Sequence, residues 1–407
     1  MYINKKIKVQ NETGHYLIRK DTQLPLIFPL LYKVFRLRNK SVSTQKVTIL
    51  AILNWYNYWA FKKHECFDTS FFNSKYDLEI IYPEFDGFLL FLSKSCKKSV
   101  KSTSMYLSCL KGFFEYLALR YTSAKYKSCN KEINHNIQFL RICNRLDSLF
   151  QYNEINALSL NKSWNIPLIQ IDKDLLDKIL NIVKPSSKLT ANPMNPWKRP
   201  HIQLRNYIII SLLANYGLRI GEILSLTIHS IKPNLSGNGY SLIVTESNEE
   251  DSRFSKPLIK TTDSHRNIFL SPFHYELLSL YLNVVRLQSP THHSFLFISL
   301  GSNRHALSYE QVKKIISKLS NVTKEFYPEL LDLKTFKLTA HTFRHVWATH
   351  YLEYLVETER QDLEVAKDNL RSMGGWNMMS EIPTYYANEY ISRKANKANQ
   401  KRILKGL

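Results

Sequence analysis

One short stretch, LTAHTFRHVWATHYLEYL at residues 338–355, places basic side chains at helical spacing. His341, Arg344 and His345 fall at i, i+3 and i+4, which lie on one face of a helix. Two histidines at i and i+4 suit zinc, but the protease motif H-E-x-x-H also needs a glutamate, and Thr342 follows His341. Because a cation at Arg344 repels a divalent metal and suits a phosphate, the spacing predicts an anion site and no metal site. A packed core position is the alternative for His345.

A second arginine, Arg219, lies in ANYGLRIGEILSL, directly after a glycine and at the start of a new helix. Its neighbours Leu218, Ile220 and Ile223 are apolar, so the arginine should emerge from a buried corner. A guanidinium held at a helix N-terminus suits a phosphate oxygen. The alternative is a surface arginine paired with Glu222 at i, i+3; we expect Glu222 to orient Arg219 rather than to react.

The segment KPLIKTTDSHRNIFL supplies a candidate proton donor, Lys260, in the turn-rich link between two short strands. A flexible ammonium at a hairpin tip can reach into a neighbouring cleft and donate a proton. Lys256 or Arg266 could serve equally well, and an ordinary hairpin lysine is the structural alternative.

The segment RSMGGWNMMSEIPTYYANEY contains a candidate nucleophile. Gly374 and Gly375 break a helix, Trp376 follows, and the adjacent Tyr385 and Tyr386 come shortly after. A tyrosine hydroxyl near two arginines, a lysine and a histidine could attack a phosphate whose developing charge these groups stabilise. Adjacent residues on a helix point about 100° apart, so only one of the two tyrosines can face the phosphate.

The ordered set resembles the R…K…H-x-x-R…H/W…Y signature of the tyrosine recombinases, the phage integrase family. The resemblance covers roughly Ile166 to the C-terminus, and the H-x-x-R box followed by ATHYLE is its most specific part. Trp376 stands where many members have a second histidine, although tryptophan occurs there in some. The commonest family spacing from Trp376 indicates Tyr385 as nucleophile, whereas a proline three residues before and an alanine after favour Tyr386.

The resemblance implies a site-specific DNA recombinase acting in integration, excision or transposition of a mobile element. Tyr386, or alternatively Tyr385, would attack a DNA phosphodiester and leave a 3′-phosphotyrosine and a free 5′-hydroxyl. The remaining implied roles are phosphate binding by Arg219 and Arg344, protonation of the 5′-oxygen by Lys260, proton transfer or phosphate binding by His341, hydrogen bonding by Trp376, and support by Glu222 and His345. Because the linkage conserves the bond energy, the reaction would need no metal, ATP or other cofactor.

Two other functions stay open at this point. One is a non-catalytic, sequence-specific DNA-binding protein of the same fold, and the other is an enzyme similar to type IB topoisomerases. Strand exchange between two duplexes needs four active sites, so the family implies double-stranded DNA as partner and a homotetramer on it.

The bulk composition agrees with a polyanionic partner. The 407-residue chain has a net charge of +22, 44% hydrophobic residues and 22% charged residues, which is a globular composition with an unusual surplus of positive charge. Lysines beside hydroxyls in KSCKKSVKSTS suit phosphate contacts, with a plain solvated loop as the alternative. These candidate DNA-binding residues are Lys94, Lys97, Lys98 and Lys101.

The elements that must position these residues form a mainly α protein with a small antiparallel β-sheet. Composition and periodicity predict an N-terminal extension at 1–40, a helical domain at 41–157 and an α+β domain at 168–407 with a C-terminal tail helix. The resemblance implies that the extension is a candidate arm, the helical domain a core-binding (SAM-like) domain and the α+β domain the catalytic domain. YSLIVTES and HRNIFLSP should form the strand pair. The longest apolar run, YIIISLLANYGL, is too short to cross a bilayer, and five cysteines without a CxxC pair favour reduced thiols in a cytoplasmic protein without a membrane partner.

Overall fold

Helices make up most of the chain, and a small antiparallel sheet accompanies them, so the predicted fold class is confirmed. The chain divides into two units, Met1–Ile166 and Pro167–Leu407. The computed structural model describes residues 2–9, 12–96, 100–122, 140–141, 143–148, 150, 171–186, 192–234, 237–247, 249–253, 256–257, 259, 262–289, 291–301, 304–330 and 336–404. Within these ranges no helix combines the length and the apolar character needed to cross a membrane.

The first unit is a helical cluster with a hairpin at its N-terminus. Its elements are β1 (Tyr2–Val9), β2 (Glu12–Arg19), α1 (Ile27–Tyr32), α2 (Val42–Lys63), α3 (Phe67–Asn73), α4 (Phe85–Leu90) and α5 (Val100–Leu117). Helix α2 begins where the Ser41 hydroxyl accepts a hydrogen bond from the Thr44 backbone N–H at 3.1 Å, a standard N-cap. Its aromatic residues Trp55 and Tyr56 are fully buried and form the centre of this unit's core.

The β1–β2 hairpin packs against α2, an arrangement that the residue pattern of 1–40 does not predict. A strand with one covered face shows alternating apolar residues. In β2 the consecutive residues Leu17 and Ile18 are both buried; the strand contacts α1 and α2, and Ile18 pairs with Pro25 in an isolated antiparallel bridge. The alternation is therefore absent.

The second unit surrounds one buried helix. Its elements are α6 (Lys173–Val183), α7 (Pro200–Tyr216), α8 (Ile220–Ser225), β3 (Ile231–Pro233), β4 (Tyr240–Val244), β5 (Arg266–Leu270), α9 (Pro272–Tyr281), α10 (Tyr309–Phe326), α11 (Ala340–Glu357), α12 (Leu363–Gly374) and α13 (Ile382–Leu404). Helix α7 contacts α6, α9 and α11, and residues 203–214 are therefore buried on every side, including the polar Gln203, Arg205, Asn206 and Ser211. These contacts bring α11 against the end of α7.

The sheet has the order β3–β4–β5, with β4 antiparallel to both neighbours. Strands β4 and β5 are the predicted pair. Strand β3 was not predicted because it has three residues and ends in Pro233, which lacks a ladder donor and suits an edge strand. Register pairs Val244 with Arg266, so Arg266 is the first residue of β5.

Candidate active site

The loop between α7 and α8 positions Arg219. Gly217 ends α7 in the left-handed conformation (φ 60°), and a Cβ there would overlap the Trp347 ring, so the position requires glycine. Arg219 is then the extended N-cap residue of α8 (φ −77°, ψ 152°). The predicted helix restart is confirmed, and it directs the arginine toward the surface formed by α11 and the turn after α12.

Three groups hold the Arg219 guanidinium. Nη1 donates to Glu222 Oε1 at 2.6 Å and to Ser264 Oγ at 3.1 Å, while Nη2 donates to the Gly375 carbonyl at 3.0 Å. Glu222 is fully buried, and its pKa is held low mainly by the arginines that overcome the opposing effect of burial. The Arg219 side chain keeps 22% of its surface exposed, so it is fixed in direction yet open to a ligand.

Arg344, on α11, is buried and bound to carbonyl oxygens. Nη1 donates to the Gly217 carbonyl at 2.6 Å and Nη2 to the Gly374 carbonyl, while the guanidinium carbon lies 4.2 Å from the centre of the Trp376 ring. Burial, together with the charge of Arg219, lowers the pKa of Arg344 to about 9. The group stays protonated at neutral pH, and its hydrogen-bond partners are neutral carbonyl oxygens. A buried cation held in this way favours binding of an anion.

The turn Gly374–Gly375–Trp376 joins the two arginines. Its consecutive carbonyls, from Gly374 and Gly375, accept from Arg344 and Arg219 respectively. Gly375 is left-handed (φ 58°), and a Cβ on Gly374 would overlap the Trp376 ring. The two glycines thus allow one tight turn to set the spacing of both guanidinium groups.

The histidines of α11 occupy different surroundings. His341 is exposed, and its Nε2 lies 2.8 Å from Nε2 of His345, so one ring donates to the other. Burial, then the neighbouring His341 and Arg344, lowers the pKa of His345 to about 4, so this ring is neutral at physiological pH. His350 is half-buried, and burial lowers its pKa as well.

The two adjacent tyrosines differ sharply in exposure. Tyr386 is 1% exposed, and its ring centre lies 6.0 Å from that of Trp376 and 5.3 Å from that of His345. Tyr385 is 43% exposed, and its ring centre lies 6.2 Å from that of His345. Burial raises the pKa of Tyr386 well above its ordinary value, although Arg344 opposes the shift.

The candidate site residues predicted from sequence are therefore only partly brought together. The second unit places the following residues in one cluster: Arg219, Glu222, His341, Arg344, His345, Trp376 and Tyr386, with Tyr385 at its edge. Lys260 lies outside the described residues, as do Lys97 and Lys98. Lys94 lies in the π-helical turn after α4 and Lys101 in α5, both in the first unit.

Two residues with direct contacts to this cluster were not predicted for these roles. Ser264 is buried and bonds both Arg219 and the Gly375 carbonyl, at 3.1 and 3.3 Å. Arg266, considered above as an alternative to Lys260, is instead buried against Glu222 at 2.9 Å, where an ion-paired guanidinium is a poor proton donor. No sequence pattern indicates a serine and an arginine two residues apart as a packed pair behind an active site.

The described residues contain no group of three or more His, Cys, Asp or Glu side chains placed to hold a metal ion. The cluster instead carries three arginines around one carboxylate, Glu222. That balance of charge favours an anionic ligand.

Comparison with known proteins identifies the family to which the chain belongs. The model of the phage integrase family matches residues 186–390, just over half of the chain. Among curated proteins none matches. Among solved structures, XerA recombinase is similar at 16% identity over 91% of this chain and 96% of that chain, with a TM-score of 0.38. The Tn1549 transposon integrase (residues 82–397) with circular intermediate DNA shows 16% identity over 70% and 84%, TM-score 0.42.

A third solved structure, XerH site-specific recombinase bound to difH, is similar at 18% identity over 75% of this chain and 83% of that chain, with a TM-score of 0.38. The family match falls on the segment that carries the two arginines, the H-x-x-R box, Trp376 and the tyrosine pair. The resemblance drawn from those residues is confirmed, and the chain belongs to the phage integrase family of tyrosine recombinases.

Proposed function

We propose that the protein is a site-specific DNA recombinase that cleaves and rejoins strands through a 3′-phosphotyrosine, in integration, excision or transposition of a mobile element. Family membership supplies the reaction class. The observation that carries the proposal is the pair of guanidinium groups held by the successive carbonyls of Gly374 and Gly375, with Tyr386 buried alongside. Two fixed cations in the same cluster as a phenol are suited to a phosphodiester.

The two arginines would bind the non-bridging oxygens of the scissile phosphate. Both are preorganised by hydrogen bonds to the protein, so they need little rearrangement when charge develops on phosphorus. The low pKa of Arg344 adds to this effect, because an anion would relieve the cost of its buried charge. The indole of Trp376 would close one side of the phosphate and donate its N–H.

Tyr386 is our proposed nucleophile, with Tyr385 as the alternative. Its ring lies among Arg344, His345 and Trp376, whereas Tyr385 is far more exposed. Its raised pKa keeps the phenol protonated at neutral pH, so the proton must leave as the O–P bond forms.

Proton transfers would complete the exchange. His341 would accept the phenol proton, or hold the phosphate while a phosphate oxygen accepts it, and the neutral His345 bonded to His341 supports this role. Lys260 would donate a proton to the 5′-oxygen as the P–O5′ bond breaks. The 5′-hydroxyl of a partner strand then attacks phosphorus and releases the tyrosine.

The partner would be double-stranded DNA, and the working form a homotetramer on it, since two duplexes require four cleavages. The net charge of +22 supports strong attraction to the DNA backbone, with Lys94, Lys97, Lys98 and Lys101 as candidate phosphate contacts. Energy kept in the phosphotyrosyl bond makes metal and ATP unnecessary, so EDTA should not change the cleavage rate.

A suicide DNA substrate, nicked so that the 5′-hydroxyl diffuses away, tests the proposal. We expect the wild type to form a covalent adduct, and Arg219→Gln and Arg344→Gln to lose it while still binding DNA. Binding without any wild-type adduct would indicate the non-catalytic alternative. Relaxation of supercoiled DNA by the monomer, without a specific site, would indicate the topoisomerase alternative.

A further inference from the structure

A third arginine lies behind the phosphate-binding pair. Arg266 is the first residue of β5, its side chain is 8% exposed, and its Nη2 donates to Glu222 Oε2 at 2.9 Å. The other oxygen of the same carboxylate, Oε1, accepts from Nη1 of Arg219 at 2.6 Å. One buried carboxylate is therefore divided between two arginines.

This division limits how Glu222 can bind Arg219. A carboxylate with one arginine partner tends to bind it through both oxygens, in a bidentate pair that satisfies two guanidinium N–H groups and neutralises the charge. Here Oε2 is occupied by Arg266 and by the backbone N–H of Arg219 at 3.0 Å. Only Oε1 remains for the Arg219 guanidinium, and the three charged side chains together carry one net positive charge.

Arg266 also contacts the other two groups that hold Arg219. Its Nη1 donates to the Ser264 carbonyl at 2.8 Å, and a Cβ on Gly375 would lie 2.7 Å from the same Nη1. Ser264 Oγ and the Gly375 carbonyl are the acceptors of Arg219 Nη1 and Nη2. Arg266 therefore touches Glu222, Ser264 and Gly375, which are all three partners of the Arg219 guanidinium.

We propose that Arg266 is a positioning residue: by occupying the second oxygen of Glu222, it prevents that carboxylate from neutralising Arg219 and turning it away from the phosphate. Arg266 itself does not touch the DNA. This inference rests on the proposed function, because it assigns Arg219 to the scissile phosphate.

The test measures single-turnover adduct formation on the suicide substrate. We expect Arg266→Met to slow adduct formation roughly tenfold to a hundredfold, less than the roughly hundredfold to thousandfold loss on removing one preorganised donor, because Arg219 is misdirected and not removed. DNA affinity should change little. Adding Glu222→Gln to Arg266→Met should restore part of the lost rate, because a neutral amide cannot form the neutralising pair. If Arg266 acted only through stability, the double variant would be slower than Arg266→Met, because it removes two buried partners and not one.

Arg253→Met is the matched control. Arg253 is 6% exposed, pairs with Asp251 at 2.8 Å, and donates to the carbonyls of Leu224 and Leu307 at 3.0 and 2.9 Å. The Arg253→Met variant should lose about as much stability as Arg266→Met, but it should form the adduct at the wild-type rate. If Arg266→Met does not fold, the comparison of Arg266→Lys with Arg253→Lys replaces it. Adduct formation should be slower in Arg266→Lys.

The rates of the wild type and of the variants distinguish failure of the Arg266 role from failure of the proposed recombinase function. A wild type without adduct contradicts the recombinase proposal itself. A wild type that forms adduct, with a double variant no faster than Arg266→Met, overturns the role of Arg266 and leaves the recombinase proposal intact. Equal rates for the Arg266→Lys and Arg253→Lys variants would overturn it as well.

Discussion

Replacing Gly375 by alanine should separate Arg219 and Arg344, the two arginines proposed to bind the phosphate. Gly375 has φ 58°, and its carbonyl accepts from Arg219 Nη2 at 3.0 Å. A Cβ at this position would lie 2.7 Å from Nη1 of Arg266 and 3.0 Å from the Cα of Ser264. The side chain of Arg266 can shift, but a backbone Cα cannot rotate away, so the turn itself must move.

The Gly375→Ala substitution should have two effects, one on the stability of the fold and one on the rate of cleavage. The left-handed conformation costs alanine about 1–2 kcal/mol, and this cost falls on the stability of the fold. Displacement of the turn takes the Gly375 carbonyl off Arg219. Removal of one preorganised donor slows a reaction roughly a hundredfold to a thousandfold, and because Arg219 is here misplaced and not removed, we expect roughly tenfold to a hundredfold. That factor corresponds to about 1.4–2.7 kcal/mol of activation free energy.

Gly237→Ala is the control for the first effect. Gly237 also has a positive φ, 73°, but a Cβ there would meet nothing within 4 Å. Both variants should lose similar stability from backbone strain in urea unfolding, and only Gly375→Ala should slow single-turnover cleavage. Cleavage by Gly375→Ala at the wild-type rate, or an equal slowing of Gly237→Ala, would refute a role for the Gly375 turn in holding Arg219.

Three further predictions concern single side chains. Trp376→Phe weakens the stacking on Arg344, and adduct formation should slow roughly threefold to thirtyfold; an unchanged single-turnover rate would contradict the contact's importance. The pKa of His345 is about 4 in the fold against an ordinary 6.5, so the unfolded chain binds this proton more readily and the free energy of unfolding should fall as pH drops from 6.5 to 4. His345→Asn should flatten that part of the urea-unfolding profile, and parallel profiles would argue against the assignment. DNA affinity should fall as salt rises, with a log–log slope smaller by about one for Lys94→Gln if Lys94 binds a phosphate, and an identical slope would remove Lys94 from the contact surface.

Local spacing was sufficient for part of the site. His341 and Arg344 share α11, where residues three apart are neighbours. Arg219, the N-cap residue of α8, meets Glu222 in the first turn of that helix. The helix end at Gly217 follows from glycine's access to the left-handed conformation.

Other parts depend on contacts between distant segments, which spacing does not report. The carbonyls of Gly374 and Gly375 meet arginines 30 and 156 residues away, and only the folded turn aligns them. Arg266 looks like a hairpin cation in sequence, yet β5 places it behind Glu222. Family spacing and flanking residues leave the choice between Tyr385 and Tyr386 ambiguous. The exposures of the two side chains, 43% and 1%, are set by packing that neither signal reports.

Peptide mapping of the wild-type protein–DNA adduct tests the central claim most directly. After the suicide reaction, proteolysis and mass spectrometry identify the residue that carries the nucleotide. We predict a 3′-phosphodiester on Tyr386, formed equally in EDTA. An adduct on Tyr385 would contradict the assignment of the nucleophile, and the absence of any phosphotyrosyl peptide would contradict the proposed recombinase chemistry.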